Sequence, residues 1–378
     1  MGDGHIRVAL VASTLGVGGA ERITADVLRR LPADRFRTQL YFLHAAGPVG
    51  RSLIADGFDG IERMAEGTHD VAALLKLARL FRRNRPDVVY CLDHHDAMTL
   101  GRLAGLASGA RAMVVASHAT GLVGKSHIFG PVDRMLMDFT GRVVAVSRTH
   151  ARYLHEHEGL PISSVRVIEN GVDAAAYPPV SDRSRAEARA ELALGPDEHV
   201  IAMVAAMRPE KAHDVLLHAL ARMRDAGIHA AALLAGDGER RGALEKLADE
   251  LGLAGSVRFL GVRGDVARLL HAADVVVLPS HAVVETLPLA VLEALAVGVP
   301  VVASAVGSIG EVIRDGETGC LIPPADAMAL ADRVTYILEN REAALAMARR
   351  GMALVRDRFT IERTTRGYEA LFSEMVAA

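Results

Sequence analysis

Residues 274–302, DVVVLPSHAVVETLPLAVLEALAVGVPVV, constrain the fold more than any other stretch of this chain. Val275, Val276, Val277 and Leu278 form an unbroken apolar run that stops at Pro279-Ser280, the pattern of a strand buried on both faces of a parallel sheet. A polar loop leads to Pro288, which suits the first helical position because its missing N–H costs nothing there. Leu289, Leu292 and Ala296 carry the helix, Gly298 stops it, and residues 299–303 form a second apolar strand. Glu285 falls in the loop at the carboxyl end of the first strand, and Glu293 just over one turn into the helix. Two readings of this pair stand side by side. One makes Glu285 a solvated loop residue and Glu293 a surface position. The other uses the helix N-terminus as an anion site, with the amides of Thr286 and Leu287 holding a phosphate while the carboxylates accept hydrogen bonds from sugar hydroxyls.

The same alternation of short apolar strands and helices runs through the whole chain, so the fold class is α/β, with two doubly wound parallel sheets. In the first half, strands fall at 6–12, 39–43, 87–92, 112–116, 142–146 and 165–168; in the second, at 200–205, 230–235 and 257–260 before the opening unit. The proline-, serine- and charge-rich segment 177–189 reads as the boundary. The expected division is a first domain over 1–180, a second over 181–358, and a terminal helix over 359–378 that returns to the first domain. Two such domains would make a cleft between the carboxyl ends of their strands.

Composition excludes several classes. The chain has 378 residues, 51% hydrophobic and 24% charged, which is globular rather than disordered. A net charge of −3 gives no reason to expect nucleic acid. Cys91 and Cys320, each in or beside an apolar strand, read as buried free thiols of a reducing compartment. No apolar run approaches a membrane span and the N-terminus lacks a signal-peptide pattern, so a cytoplasmic protein is expected.

Several loops at strand ends carry candidate chemistry. The turn STLGVGGAER after the first strand matches only half of the dinucleotide fingerprint, because Glu21 replaces the third glycine and the second strand ends in His44-Ala45-Ala46 without an acid for a ribose. NAD is therefore disfavoured, leaving Gly18 and Gly19 as a point of close backbone approach to a ligand, or a plain tight turn. His118, at a strand's carboxyl end, is better placed for a substrate than for the core. The pair His94-His95 has no partner at a metal-ligand spacing, so no metal is expected. Arg208 and Lys211 lie on the loop after a strand and suit a diphosphate, or else pair with Glu210. A helix over about 70–83, with Val71, Leu74, Leu75, Ala78 and Phe81 on one face, ends in Arg79, Arg82, Arg83 and Arg85. That basic end is either a solvated terminus or a peripheral contact with anionic lipid headgroups.

These motifs, in this order, resemble glycosyltransferase family 4, retaining enzymes of the GT-B fold. The resemblance covers nearly the whole chain: GGAER from Gly18, VSRTHARYL from Val146, VIENGVD from Val167, MRPEKAHDVLLHAL from Met207, AGDG from Ala235, and the E-x7-E pair Glu285/Glu293, the most specific of them. It implies a nucleotide diphosphate sugar donor, most readily UDP-linked, a sugar, lipid-linked or small-molecule hydroxyl acceptor, and no cofactor. By that resemblance Arg208 and Lys211 hold the diphosphate, with Gly18 and Gly19 approaching it. Glu293 takes the ribose, the backbone near Val262 the base, and Glu285 with the Thr286 and Leu287 amides faces the transferred sugar, whose hydroxyls His118 contacts. Met207, Ala212, Glu169 and Thr286-Leu287-Pro288 depart from the family's commoner residues, which bears on donor identity. With no D-x-D in the sequence, the leaving diphosphate is expected to be stabilised without metal. A nucleotide-sugar epimerase or a non-catalytic sugar-nucleotide-binding protein of the same fold are the alternatives. Acceptor contacts are expected in loops 45–51, 93–98 and 118–129.

Overall fold

Apolar runs too short for helices become strands, and the amphipathic segments between them become crossovers. The computed structural model describes residues 5–67, 70–92, 95–120, 128–281 and 285–377. The chain divides into two units, residues 1–170 with 361–378, and residues 171–360.

In the first unit, β1 (Ile6–Ala12), α1 (Gly19–Arg30), β2 (Phe36–Phe42), α2 (Gly47–Ala55), β3 (Asp59–Ile61), α3 (Val71–Asn84), β4 (Val88–Leu92) and α4 (His95–Ser108) follow one another. Then come β5 (Ala112–Ser117), α5 (Pro131–Met135), β6 (Arg142–Ala145), α6 (Arg148–Glu156) and β7 (Val165–Val167). The seven strands are parallel in the order β3-β2-β1-β4-β5-β6-β7. The chain winds outward from β1 to β3, then crosses back to β4, so the topological switch point lies between β1 and β4. Strands β4 and β5 are buried throughout, as two-sided coverage requires.

The second unit contains α7 (Asp182–Glu191), β8 (His199–Val204), α8 (His213–Asp225), β9 (Ala230–Ala235), α9 (Arg241–Glu250), β10 (Val257–Gly261), α10 (Val266–Ala272) and β11 (Val275–Leu278). It continues through α11 (Leu289–Val297), β12 (Val301–Ser304), β13 (Cys320–Ile322), α12 (Ala327–Glu339) and α13 (Arg341–Arg358). Its six parallel strands run β10-β9-β8-β11-β12-β13, the same winding as the first sheet, with the switch between β8 and β11. The last helix, α14 (Ile361–Ala377), belongs to the first unit. Its Tyr368 and Phe372 pack on Tyr90 of β4 with ring centroids 5.5 and 5.6 Å apart, and Glu369 pairs with Arg35.

Three local expectations are corrected. Pro288 is the N-cap of α11, with Leu289 its first helical residue. The buried face of α3 is Ala73, Leu77, Ala78 and Phe81, whereas Val71 and Leu75 are 67% and 53% exposed. Apolar spacing alone does not say where a neighbouring helix stops covering the stripe, and here Val71 and Leu75 fall outside the covered face. The polar segment 177–189 is largely helix α7, capped by the Ser181 hydroxyl on the Ser184 amide. Its Arg185 and Arg189 turn inward and clasp Asp274 at the amino end of β11, at 2.5 and 2.9 Å. Both cysteines are buried and free, and burial pushes the Cys91 thiol up to about 12.

Candidate functional site

In an open parallel sheet, ligands bind outside the carboxyl ends of the strands, near the switch point. In the second unit the loops leaving those ends are fastened to one another in the order of the strands. Gly236 N donates to Gly261 O (2.8 Å), Met207 N to Asp237 O (3.0 Å), His281 N to Glu210 O (2.9 Å), and Ser308 N to Glu285 O (2.8 Å). Gly307 sits at φ +52°, and a Cβ there would overlap the Glu285 carbonyl oxygen, so this loop needs glycine to close over the Glu285 backbone.

Glu285 is 3% exposed. The reading of it as a solvated loop residue is therefore excluded. Its Oε1 accepts from Lys211 Nζ at 2.6 Å and from Ser280 Oγ at 2.5 Å. Lys211 ends a 3-10 turn, Pro209–Lys211, and the following Ala212 adopts a left-handed conformation that turns the chain into α8. Arg208 begins that turn and is exposed, as is Val262 beyond β10. Lys211 thus pairs with Glu285 rather than with Glu210, the partner that local spacing suggested. Thr286 and Leu287 are buried just before α11.

Glu293 is also interior, at 2% exposure, against the surface reading of its position on α11. The Tyr177 hydroxyl donates to its Oε1 at 2.8 Å. Tyr177 was not singled out by sequence, since it lies 116 residues away in the segment read as the domain boundary. Next to Lys211, His213 opens α8 with 2% exposure; burial, and then the Lys211 charge, hold its imidazole down at about 4. The structure therefore brings Lys211, Glu285, Ser280, Thr286 and Leu287 to one carboxyl edge, with Glu293 anchored one helix turn behind it.

In the first unit, Gly18 is the N-cap and Gly19 the first residue of α1, directly beyond the β1 edge. His118 follows β5 and is half-buried. The ring of the buried His150 lies 3.0 Å from the carbonyl of Ala119, fixing the loop that carries His118. The expected acceptor loops are described only in part: residues 45–51, 95–98, 118–120 and 128–129 are placed, whereas 93–94 and 121–127, with the His94-His95 side chains, lie outside the described residues. Among the described residues no cluster of three or more His, Cys, Asp or Glu is placed to hold a metal ion, and no helix is long and apolar enough to cross a membrane.

Comparisons with known proteins agree with this geometry. Residues 184–353 match the family of glycosyl transferases group 1, and residues 17–176 match glycosyltransferase family 4. The D-inositol 3-phosphate glycosyltransferase of Mycobacterium sp. (strain KMS) is 30% identical over 319 residues, covering 80% of this chain and 71% of that protein. Among solved structures, HepE of Anabaena in complex with UDP and glucose superposes with a TM-score of 0.85 at 22% identity, over 98% of this chain and 100% of that one. Sucrose-phosphate synthase from Thermosynechococcus elongatus does so with a TM-score of 0.77 at 22% identity, over 98% and 99%. The chain belongs to the family 4 glycosyltransferases and has their GT-B fold.

Proposed function

We propose that this protein transfers a sugar from a UDP-linked donor to a hydroxyl acceptor with retention of anomeric configuration and without a metal ion. The observation that carries the reading is the Lys211–Glu285 pair at the carboxyl edge of the second sheet. A buried carboxylate and an ammonium group held together in this way make a site that exchanges partners. When donor binds, Lys211 passes from Glu285 to the diphosphate, which leaves Glu285 to orient the sugar. Arg208 adds a second cation that can fork onto phosphate oxygens, and the amides of Thr286 and Leu287 lie at the N-terminus of α11. Glu293, aimed by Tyr177, accepts hydrogen bonds from the ribose, and the backbone at Val262 meets the base. Gly18 and Gly19 approach the diphosphate, and His118 contacts the sugar hydroxyls.

Chemically, the bond from the anomeric carbon to the diphosphate breaks while charge builds on the leaving group. Fixed cations and amides stabilise that charge best in the transition state. The sugar becomes oxocarbenium-like. Attack from the face of departure puts the acceptor hydroxyl beside the departing phosphoryl oxygen, which takes its proton. The UDP preference draws on HepE, solved with UDP and glucose. The acceptor class, a sugar or cyclitol hydroxyl, draws on the relative named for D-inositol 3-phosphate.

We also propose that the protein works in the cytoplasm and meets anionic membrane through α3, whose exposed Lys76, Arg79 and Arg83 follow the exposed Val71 and Leu75. Arg82 is spoken for, since it donates to the Ala107 carbonyl at 3.0 Å. Cosedimentation with phosphatidylglycerol vesicles but not with neutral ones checks this.

The test of the transferase reading is release of UDP from a panel of UDP-sugars, in chelator, with the anomeric configuration of the product read by NMR. Inversion, or turnover restored only by added divalent cation, overturns it.

A further inference from the structure

A second group of polar side chains converges in the first unit, drawn from three separate loops and given no role so far. Ser13 is the residue after β1, His44 lies two residues past β2, and Asp96 stands in the first turn of α4, which follows β4. The strand order puts Ser13 and Asp96 on opposite sides of the β1/β4 switch point, where doubly wound sheets open a crevice. A hydrogen bond from Ser13 Oγ to Asp96 Oδ1 spans it, and His44 Nε2 lies 3.0 Å from Asp96 Oδ2. The Asp96 backbone is followed by an amide, Ala97 N, that also donates to Oδ1 at 2.9 Å.

The arrangement has an order. Asp96 is in the middle, receiving every bond. Burial pushes its carboxyl up, but the hydrogen bonds from Ser13, Ala97 and His44 together outweigh burial and hold it below the usual range. An ionised carboxylate offers only acceptors, so Nε2 of His44 must carry the proton, and in the neutral ring Nδ1 is left as an acceptor. This is not a nucleophile triad, because the serine bonds the aspartate and not the histidine. Asp96 is 11% exposed in its side chain while His44 is 42% exposed, so the fixed imidazole is the part that a ligand can reach. Among the described residues no hydrogen bond to His44 Nδ1 occurs. The loop is rigid: His44 N donates to Ser13 O (3.0 Å) and Leu15 N to Ala46 O (2.9 Å). Gly47 at φ +75° lets the second loop pass where a Cβ would overlap the Leu15 carbonyl.

We infer that His44, held by Asp96 and Ser13, is an acceptor-binding residue whose Nδ1 receives a hydrogen bond from a hydroxyl of a sugar or cyclitol. This rests on the transferase reading and adds to it a recognition element on the first unit. His44 touches the acceptor; Asp96 and Ser13 are positioning residues that fix its tautomer and ring orientation.

The test uses the full chain with histidine-selective isotope labels and UDP present, and assigns the His44 resonance by its loss in H44A. Glucose, N-acetylglucosamine, myo-inositol and their monophosphates are then titrated at millimolar concentration. The expected result is a saturable shift of the His44 signal by at least one unphosphorylated member of the panel, weakened about tenfold in D96N by loss of a charged hydrogen-bond partner. A D96N protein whose midpoint still rises with UDP is folded; should D96N fail to fold, S13A is read in its place. The inference is overturned if only phosphorylated compounds act, if none acts, or if the positioning variant binds as tightly as wild type. Failure of UDP itself to bind the wild type would instead remove the transferase reading beneath it.

Discussion

The two sheets are wound in the same order, yet their carboxyl edges are finished differently. In the second unit the edge is laced by backbone hydrogen bonds from β10 across to β12, and its charged groups are satisfied as pairs, Lys211 with Glu285 and Tyr177 with Glu293. In the first unit, among the described residues, backbone bonds join the loop after β2 to those after β1 and β3, through His44 N to Ser13 O and Arg63 N to His44 O, and the step across the switch point is made by side chains, Ser13 to Asp96. Equal topology therefore yields two kinds of site. One is a buried, charged socket that holds an internal ion pair, the pair proposed above to open for an anion. The other presents an imidazole oriented by Asp96, beside glycine backbone, and in the inference above it meets a hydroxyl-rich molecule. In the function proposed above, donor falls to the edge that satisfies its polar groups as charged pairs and acceptor to the edge that does so with neutral donors on one carboxylate.

The largest effect that would break this contrast is at the ion pair. Lys211→Ala removes the cation proposed to stabilise the leaving diphosphate, and we expect a loss of at least about a hundredfold in kcat/KM. Steady-state UDP release measures it, and activity near that of wild type would remove the partner-exchange argument. Lys211→Arg restores part of the rate if point charge suffices.

Acid should expose the second unit before the first through His213. Its folded pKa, about 4, lies below the ordinary 6.5. Above 6.5 the ring is neutral folded or unfolded, so it contributes no pH dependence. Below that the unfolded chain binds the extra proton first, and stability falls as pH drops from 6.5 towards 4, by about 3 kcal/mol in full. Asp96 acts at lower pH: with its folded pKa depressed, its contribution is present above the unfolded value and is lost as pH falls through the folded one. Urea denaturation of wild type and His213→Leu between pH 7 and 4 checks this, the variant losing less stability over that range.

A smaller effect sharpens the ribose assignment. Tyr177→Phe deletes a hydrogen bond to a buried carboxylate, and about a tenfold loss in UDP affinity is expected by calorimetry, with inorganic pyrophosphate affinity unchanged. Equal losses for both ligands would move Glu293 away from the ribose. The smallest is at Cys91, buried with its thiol pushed up to about 12, which should not react with a thiol reagent until the first unit unfolds.

Much of the second unit could be read from its residues. A carboxylate inside an apolar run, as in ETLPLAVLEAL, and a cation right after a strand signal chemistry locally, and the structure places Glu285 and Lys211 in contact. What sequence could not say was the pairing itself: Glu210 is one residue from Lys211, yet Glu285, 74 residues away, is the partner. Tyr177 was hidden for the same reason. The His44–Asp96–Ser13 group was invisible because its members are 52 and 83 residues from Asp96 and converge only when β1, β2 and β4 pair. Apolar spacing overstated the buried face of α3 at Val71 and Leu75. Polar composition made α7 read only as a domain boundary, because Arg185 and Arg189 turn inward to a carboxylate that local sequence cannot supply.

The most direct test of the central claim is thermal unfolding of wild type and Lys211→Ala with UDP, GDP, ADP and their sugar conjugates. A ligand that binds only the native state raises the midpoint by mass action. The expected result is a rise with UDP and UDP-sugars in the wild type that largely disappears in Lys211→Ala. A UDP shift of equal size in both proteins, or none in either at millimolar ligand, would contradict it.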